Sequence, residues 1–295
     1  MHNFLLSILL LTGIAASADV SFVPLRQAKP GVDNEYFTYR PDPARVEYLA
    51  PLSSTDLQTV TLAKLKSYTQ EQLDQLYFRL PSGPLPSGDF TTTILVKNTL
   101  VQAIEAKLID SMTSQGVTGA IRKALLKVLC NSTDGLECIG DYLWKGKRFY
   151  PATSDGTHEM RNAVPSINRV LLMGAGLGSL IAPLAKAKVE KFNGTSLMML
   201  FPANVYCGIS LVDTRRESII IDYAYGDDFQ PYIPEVDSLA GRDGKGLRDE
   251  IRMVRPGLYL GRAYTDKIFL LNFVLEAPSP QPSAPNSCWS SKSWQ

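Results

Sequence analysis

The spacing of apolar residues changes along the chain and predicts helices first and strands later. Between residues 62 and 80, apolar side chains recur at helical spacing, and Thr69 with Gln72 fits a capping box that breaks this helix. Residues 99–129 repeat the pattern in steps of four, which predicts two amphipathic helices. Because their polar faces carry both charge signs, we expect these helices to pack on a core rather than on a membrane surface.

The sheet begins at residue 89 and continues after residue 187 as runs of alternating apolar and polar positions. Among the short turns between these runs, Asn193-Gly194 suits the positive φ angles of a type I′ hairpin. Strand–turn–strand units without helices between them indicate an antiparallel meander, so we predict an α+β fold, with a β-barrel or curved meander sheet and flanking helices. The predicted strands are residues 89–96, 187–192, 195–201, 206–212, 218–225, 247–254, 258–264 and 266–277.

Residues 247–264 are notable because charged residues interrupt an alternating apolar pattern. In a strand, Asp249 shares one face with Ile251 and Met253. The opposite face is interpreted as solvated, and its charged residues are Arg248, Glu250 and Arg252.

A turn centred on Pro256-Gly257 would set three cross-strand pairs on the Asp249 face: Met253 with Leu260, Ile251 with Arg262, and Asp249 with Tyr264. A buried carboxylate and guanidinium must pair, so Asp249 and Arg262 form either a structural ion pair or polar contacts that orient a ligand. A shifted register would instead send them to solvent. The predicted ligand contacts are the polar residues Asp249, Arg262, Tyr264 and Tyr223 and the apolar residues Met198, Ile251, Met253 and Leu260.

The two ends of the chain differ from its middle. Residues 1–18 match a secretory signal peptide, with a short apolar run and a small-residue exit, which predicts a secreted protein or one in the lumen of the secretory pathway. Residues 19–59 are expected to form an extended arm, and residues 60–276 a single domain with the helical insertion at 99–129. The Pro/Ser-rich residues 277–295 are expected to form an extended tail held by a disulfide.

The even number of cysteines in an oxidising compartment predicts two disulfides, and of three connectivities we favour Cys130–Cys138 with Cys207–Cys288. A zinc site is the alternative, although no CxxC or His-x-His pattern accompanies the thiols. Two glycosylation sequons begin at Asn131 and Asn193, which predicts surface positions and a glycoprotein.

Composition and motifs limit the partners, cofactors and catalytic residues that this chain is expected to use. A formal net charge of +1 and the lack of a basic block argue against nucleic acid as a partner, and no later segment has the roughly 20 apolar residues of a transmembrane helix. No metal or other cofactor is predicted, and residues 174–178 place three glycines in a GxGxG pattern better suited to a turn than to a nucleotide loop. His158 is either a surface loop residue or a general acid/base at a pocket mouth.

A resemblance can be stated from three stretches: "LDQLYFRLPSGPLPSGDFTT", "WKGKRF", and "RDEIRMVRPGLYLGRAY" with the later "LNFVL". Together they resemble lipocalin-like proteins in which a helix and a Pro-rich turn precede a GXWXG-type first strand. Gly88 and Phe90 stand where that glycine and tryptophan would be, and Thr92 replaces the second glycine. The resemblance implies a lipocalin-like barrel that binds small apolar molecules, and it implies no catalytic residue.

Three functions follow as hypotheses. The first is a secreted binding protein for a small apolar ligand of the lipid, terpenoid or polyketide class, the last two being products of secondary metabolism. The second is a cyclase or isomerase that needs neither metal nor nucleotide, in which Asp249 or His158 moves a proton. The third is a secreted interaction protein without a ligand, and the sequence specifies no oligomeric state.

Overall fold

The structure is a computed structural model that describes residues 19–23, 42–95, 144–166, 181–279, 281 and 285–288. Several predicted features lie outside the described residues: the signal peptide, the helices at 99–129, the glycines at 174–178, Asn131, and the pair Cys130–Cys138.

Six short α-helices and one 3-10 helix are described. The helices are α1 (Pro43–Leu49), α2 (Ser54–Gln58), α3 (Leu62–Ser67), α4 (Gln70–Arg79), α5 (Ile181–Leu184) and α6 (Pro234–Asp237), and the 3-10 helix covers Tyr223–Asp228. As predicted, the helical pattern of residues 62–80 breaks at Thr69, whose hydroxyl accepts from the Gln72 amide in a capping box. The expectation of an extended arm through residue 59 is wrong, because the side chains of Asp42 and Ser53 cap α1 and α2 there.

Among the described residues, nine antiparallel strands form the sheet. They are β1 (Gly88–Leu95), β2 (Gly146–Phe149), β3 (Glu159–Val164), β4 (Lys188–Phe192), β5 (Thr195–Ile209), β6 (Glu217–Asp222), β7 (Leu247–Arg255), β8 (Leu258–Thr265) and β9 (Ile268–Glu276). The alternating pattern predicted strands at all of these except β2 and β3. It divided β5 into two strands, 195–201 and 206–212, and it extended β6 into the 3-10 helix.

The strands close into a barrel. Their order is β3-β2-β1-β9-β8-β7-β6-β5-β4, and an additional pairing of β3 with β5 joins the sheet to itself. The closed ring therefore contains eight strands, while β4 pairs with β5 outside it. This architecture confirms the predicted α+β class with an antiparallel, lipocalin-like β-barrel.

Two hairpin turns have the predicted chemistry. Asn193 and Gly194 join β4 to β5 with φ angles of 45° and 84°, a conformation that Gly and Asn tolerate. Gly257, with a φ of 81°, follows Pro256 in the turn between β7 and β8. This turn marks one end of the barrel, which we call the hairpin end.

Trp144, two residues before the start of β2, lies at the opposite end, which we call the Trp144 end. Half-buried apolar side chains pack against the barrel interior here: Trp144, Phe201, Leu247 and Leu270. Between the two ends, aromatic and aliphatic side chains fill the interior, including Phe90, Phe149, Met160, Ile219, Tyr259 and Phe273. Eight strands enclose a lumen of about the width that side chains can fill.

Helices α3 and α4 cover the outer surface of β7, β8 and β9. The covering cluster combines apolar residues of both helices with outward-facing residues of the strands: Leu65, Leu73, Leu76, Tyr77, Val254, Leu260 and Val274. Apolar residues of β9 alternate on both faces of the strand, so both faces need cover. The described cover comes from α3 and α4, joined by Val20 of the arm.

Candidate functional site

One extra residue in β7 changes the predicted register of its hairpin with β8. Met253 lies opposite Tyr259 and Arg255 opposite Leu258, so Val254 has no partner and forms a bulge. Beyond the bulge, Asp249 therefore lies opposite Ala263. The predicted pairing of Asp249 with Tyr264 and of Ile251 with Arg262 is wrong by one residue, which moves side chains of β8 to the other face.

The bulge divides the predicted ligand contacts between two faces of the sheet. Ile251 and Met253 line the barrel interior, as predicted, and Asp249 shares their face. Arg262, Tyr264 and Leu260 instead lie on the outer face beneath the helices. The proposed pair of Asp249 with Arg262 is therefore not formed.

Arg262 ties α4 to the barrel wall. Its guanidinium donates to the carboxylate of Asp74 and, at 2.9 Å, to the hydroxyl of Tyr264. The Phe269 ring centroid lies 4.2 Å from the guanidinium carbon. Both charged side chains are at least nine-tenths buried, so this contact is a structural ion pair.

The charged face that was expected to be solvated is covered by α4 at Arg252 and by the segment after β5 at Glu250, while Arg248 is partly exposed. Glu250 and Arg252 are 0% exposed. Arg252 donates to the Ser218 hydroxyl at 2.9 Å and to the backbone carbonyl of Tyr77 at 3.0 Å. The alternation of faces was correct, but this cover turned most of a predicted solvated face into a buried polar layer.

Inside the barrel, a buried lysine forms a polar centre with three neighbours. The ammonium group of Lys147 lies 2.9 Å from Asp249 Oδ2, 2.6 Å from the Tyr223 hydroxyl and 3.0 Å from Asn162 Oδ1. The Tyr223 hydroxyl in turn lies 3.3 Å from Asp249 Oδ2. Lys147 is 0% exposed, and each of the other three is more than nine-tenths buried. We call these four residues the Lys147 centre.

Four different segments of the barrel bring the centre together. Lys147 and Asn162 are direct cross-strand partners on β2 and β3. Tyr223 follows β6, and Asp249 lies on β7, so closure of the barrel is what joins these residues to Lys147.

Aromatic rings surround the ammonium group of Lys147. Its nitrogen lies 4.3 Å from the ring centroid of Trp144 and 5.6 Å from that of Phe273. Gly261 makes room for the second ring, since a Cβ at this position would lie 2.3 Å from a Phe273 atom. The ammonium group thus occupies an apolar, π-rich setting in which cation–π attraction adds to its ion pair.

Burial and the ion pair shift the pKa of Lys147 in opposite directions. Removal from water lowers the pKa of the Lys147 ammonium group, and the nearby carboxylate of Asp249 only partly offsets this. Burial, together with the same carboxylate, raises the pKa of Tyr223 well above its usual value. The centre therefore favours a neutral phenol that can donate a proton and an amine that loses its proton more readily than a solvated lysine.

Two further polar atoms near the Lys147 centre have no hydrogen-bond partner among the described residues. They are the indole nitrogen of Trp144 and the hydroxyl of Thr92, both shielded from solvent. Thr92 alternates with Phe90 and Ile94, which face the interior. Both groups can donate, so the interior offers hydrogen bonds that an acceptor oxygen would satisfy.

The remaining predicted site residues lie elsewhere. Met198 packs with Leu200 and Val236 in a separate cluster near α6. His158 is half-buried in the turn before β3, where its backbone carbonyl accepts from the Val205 amide. Asn193 is exposed in its hairpin turn, as its sequon predicted. Tyr223 and Asp249 are thus the predicted polar contacts that the barrel brings together.

The C-terminal tail closes the hairpin end. Cys207 and Cys288 form the predicted disulfide, and Cys288 is 0% exposed within the interior cluster. The Cys288 amide donates to the hydroxyl of Ser82 at 3.0 Å, and the Asn286 carbonyl accepts from Gly83. We call residues 285–288 the tail plug.

A surface pocket of about 380 Å³ also lies at the hairpin end, between β1, the turn that joins β7 to β8, and the end of β9. Its lining residues include Thr91, Gly257 and Glu276, and it contains no member of the Lys147 centre. In the part of the chain that the structure describes, no three His, Cys, Asp or Glu side chains are grouped to hold a metal ion.

Sequence analysis missed Lys147, Asn162 and Trp144. Lys147 alternates with Phe149 in "WKGKRF", a pattern in which a lysine shares a face with an aromatic residue. That alternation was the available signal, but β2 is only four residues long. Asp249 supplied the other clue, because an inward carboxylate requires a buried cation.

Comparisons with protein-family models, with curated proteins and with solved structures found no match to this chain. None of the described helices has both the length and the apolar character needed to span a bilayer. The chemistry of the Lys147 centre is therefore inferred from its own residues: a cation, a carboxylate and a phenol held in an apolar barrel of lipocalin-like architecture.

Proposed function

We propose that this protein binds a small, largely apolar molecule at the Trp144 end of the barrel, with the Lys147 centre as its polar contact. The observation that carries the proposal is the fully buried ion pair of Lys147 with Asp249 inside an otherwise apolar lumen. Ligand sites typically combine apolar walls with a small number of convergent polar groups.

The energetic argument starts from the cost of burying charge. Removing an ammonium and a carboxylate from water costs several kcal/mol per ion after relaxation, roughly, and apolar residues of similar volume often stabilise a core equally well. Arg262 and Arg252 already join the outer sheet face to α4. The inner pair joins β2 to β7 and holds no α-helix on the barrel, which supports a role in binding.

The unpaired donors indicate the chemistry of the ligand. Trp144 Nε1 and Thr92 Oγ1 each lack an acceptor within the described parts of the chain. An apolar molecule with a carbonyl, carboxylate or enol oxygen would satisfy them and remain close to Lys147. The proposed ligand is therefore a lipid-like, terpenoid or polyketide molecule with an oxygen acceptor, rather than a pure hydrocarbon.

The two barrel ends differ in their access. Backbone hydrogen bonds and a disulfide hold the tail plug at the hairpin end. At the Trp144 end, Leu247 and Leu270 are only half-buried beside Trp144. A ligand that enters between these side chains reaches the Lys147 centre without displacing the tail plug.

The proposal includes secretion. The N-terminal signal pattern, the buried Cys207–Cys288 disulfide and the exposed Asn193 sequon together fit an extracellular or lumenal binding protein of the lipocalin-like type. Endoglycosidase treatment of protein made in a eukaryotic secretory host, followed by peptide mapping, reports whether Asn193 carries a glycan.

Binding is tested by native mass spectrometry of protein from that host, with solvent extraction of any bound molecule, and by titration with anilinonaphthalene sulfonate. We expect Lys147→Met to weaken binding of this anionic dye about 10- to 100-fold, the loss of one charged hydrogen-bond contact. Arg148→Met is the matched control, because Arg148 is adjacent on β2 and binds Asp89 and Glu190 on the other face.

Lys147→Met leaves Asp249 unpaired, so a Lys147→Met/Asp249→Asn double variant and a Tyr223→Phe variant are measured beside it. Dye affinity that is equal in wild type and in all folded variants would contradict the role of the Lys147 centre. Protein that carries no extractable molecule and binds no dye would refute ligand binding and favour the interaction-protein hypothesis.

A second candidate function is catalysis on the bound molecule. The 2.6 Å contact of the Tyr223 hydroxyl with the Lys147 nitrogen, beside Asp249, places an acid and a base together as an isomerase or cyclase requires. Incubation with extracted ligand in deuterated water tests it: deuterium incorporation that Tyr223→Phe abolishes would support turnover, and its absence from wild type would leave only binding.

A further inference from the structure

We infer that Lys147 captures apolar aldehydes or ketones as a Schiff base, so that the ligand class of the barrel is a carbonyl compound held covalently. The inference rests on the proposed binding function and names the substrate class of the same site. Three features carry it: the amine belongs to the one buried lysine among the described residues, groups that can transfer protons contact it, and apolar side chains surround it.

Lys147 is the one buried lysine among the described residues. Lys188 and Lys145, for example, are exposed. An amine attacks a carbonyl only in its neutral form. Burial of Lys147 lowers its pKa and thereby raises the fraction of neutral amine at this position.

The groups that imine formation needs are already in contact with the nitrogen. Asp249 lies 2.9 Å from it and can take its proton, while the Tyr223 hydroxyl lies 2.6 Å from it and can donate one. The nitrogen lone pair attacks the carbonyl carbon, the carbonyl oxygen gains a proton from Tyr223, and the nitrogen, now positively charged, returns a proton to the Tyr223 phenolate. The product of this addition is a carbinolamine.

Loss of water completes the reaction. The carbinolamine hydroxyl takes the proton that Asp249 had accepted and leaves as water, while the nitrogen lone pair forms the C=N bond of a protonated imine. Aldehyde or ketone and amine thus give an imine and one water molecule, with no oxidant or reductant. Asp249 then serves as the counter-ion of the protonated imine, as it does for the ammonium group.

The walls favour the imine over its hydrolysis. Trp144 and Phe273 lie against the nitrogen with ring centroids at 4.3 and 5.6 Å. Trp144 is half-buried at the barrel end, so it is the side chain that an entering molecule displaces from the amine. An apolar chain that fills this position excludes water from the C=N bond and selects apolar carbonyl compounds.

The experiment uses nonanal as the probe and sodium cyanoborohydride to reduce any imine to a stable secondary amine. Intact mass spectrometry of wild-type protein is expected to give one nonyl group per chain, and peptide mapping to locate it on Lys147. We expect Tyr223→Phe to slow adduct formation about 100-fold, the usual contribution of a general acid. Lys147→Met should give no stoichiometric adduct.

Lys145→Met is the matched control, because Lys145 is exposed two positions earlier, and it should retain the adduct at Lys147. Mapping of the wild-type adduct needs no variant, so poor folding of Lys147→Met leaves the test intact. Adducts spread over exposed lysines, or none at Lys147, would overturn the inference.

Nonanol separates this inference from the proposed function. If nonanol and nonanal displace anilinonaphthalene sulfonate equally and no adduct forms at Lys147, the barrel binds without covalent capture and only the inference fails. If the dye itself does not bind to the protein, the proposed binding function fails as well.

Discussion

At the residue scale, Val254 determines which charged side chains face the barrel interior. As the unpaired residue of the β7–β8 bulge, it shifts every later pair of the hairpin by one position. Asp249 keeps its inward face, whereas Arg262 turns to the helices. Asp249 therefore forms its ion pair with a different cation, Lys147, across the barrel.

Arg262 is accordingly predicted to matter for stability and not for binding. Arg262→Met leaves Asp74 buried without its partner, so we expect a loss of about 3–5 kcal/mol in the free energy of unfolding, measured by urea denaturation. Dye affinity of the folded fraction should remain at the wild-type value, because the Lys147 centre lies on the other face.

Two controls accompany this prediction. Arg242→Met removes an exposed pair with Asp227 and should leave the free energy of unfolding nearly unchanged. Asp74→Asn combined with Arg262→Met removes the unpaired charge and should recover part of the loss. Weakened dye binding at unchanged stability would instead support the original interpretation of Arg262 as a ligand contact.

At the element scale, the tail plug fixes one end of the barrel to β5. Its disulfide closes a loop across a sequence separation of 81 residues, and Cys288 packs within the interior cluster. Alternation and turn residues predicted the strands, whereas the position of the plug follows from contacts with residues 82 and 83, far away in the chain.

Cys288→Ser is predicted to lower the free energy of unfolding by about 2–4 kcal/mol, because it releases the loop in the unfolded state and detaches the plug. Urea denaturation of non-reduced protein measures the loss. Asn286→Ala is the matched control: its described contact uses the backbone carbonyl, so stability should be nearly unchanged. Equal stability of Cys288→Ser and wild type would show that the plug is not needed to hold the barrel.

At the scale of the whole molecule, the cover of the barrel is uneven. Every residue of β8 except the last is buried, since the lumen lies on one side and α3 and α4 on the other. Four of the five residues of β4 are at least partly exposed, and this strand lies outside the closed ring. Local opening is easiest where few apolar contacts hold a strand.

Hydrogen exchange is therefore predicted to be slowest in β7, β8 and β9 and fastest, among the strands, in β4. Mass spectrometry of exchanged peptides from the native protein measures this order. Protection of β4 equal to that of β8 would contradict it and would indicate cover of β4 by an additional surface.

The sequence by itself determined the local features of this protein. Alternation identified most strands, Thr69 with Gln72 marked a helix start, and Asn193-Gly194 marked a hairpin. Each depends on the backbone preferences of residues adjacent in the chain. The inward face of Asp249 followed from the same alternation, and with it the expectation of a buried ion pair.

Only the tertiary structure decided the partners. The bulge at Val254 set the register, α4 covered Arg252, and barrel closure brought Lys147 to Asp249 and Tyr223. A one-residue bulge is nearly invisible to periodicity, yet it reverses the faces of the following strand. Short-range patterns predict which side chains face inward. The partner of each inward charge depends on strands from distant parts of the chain, which come together only when the barrel closes.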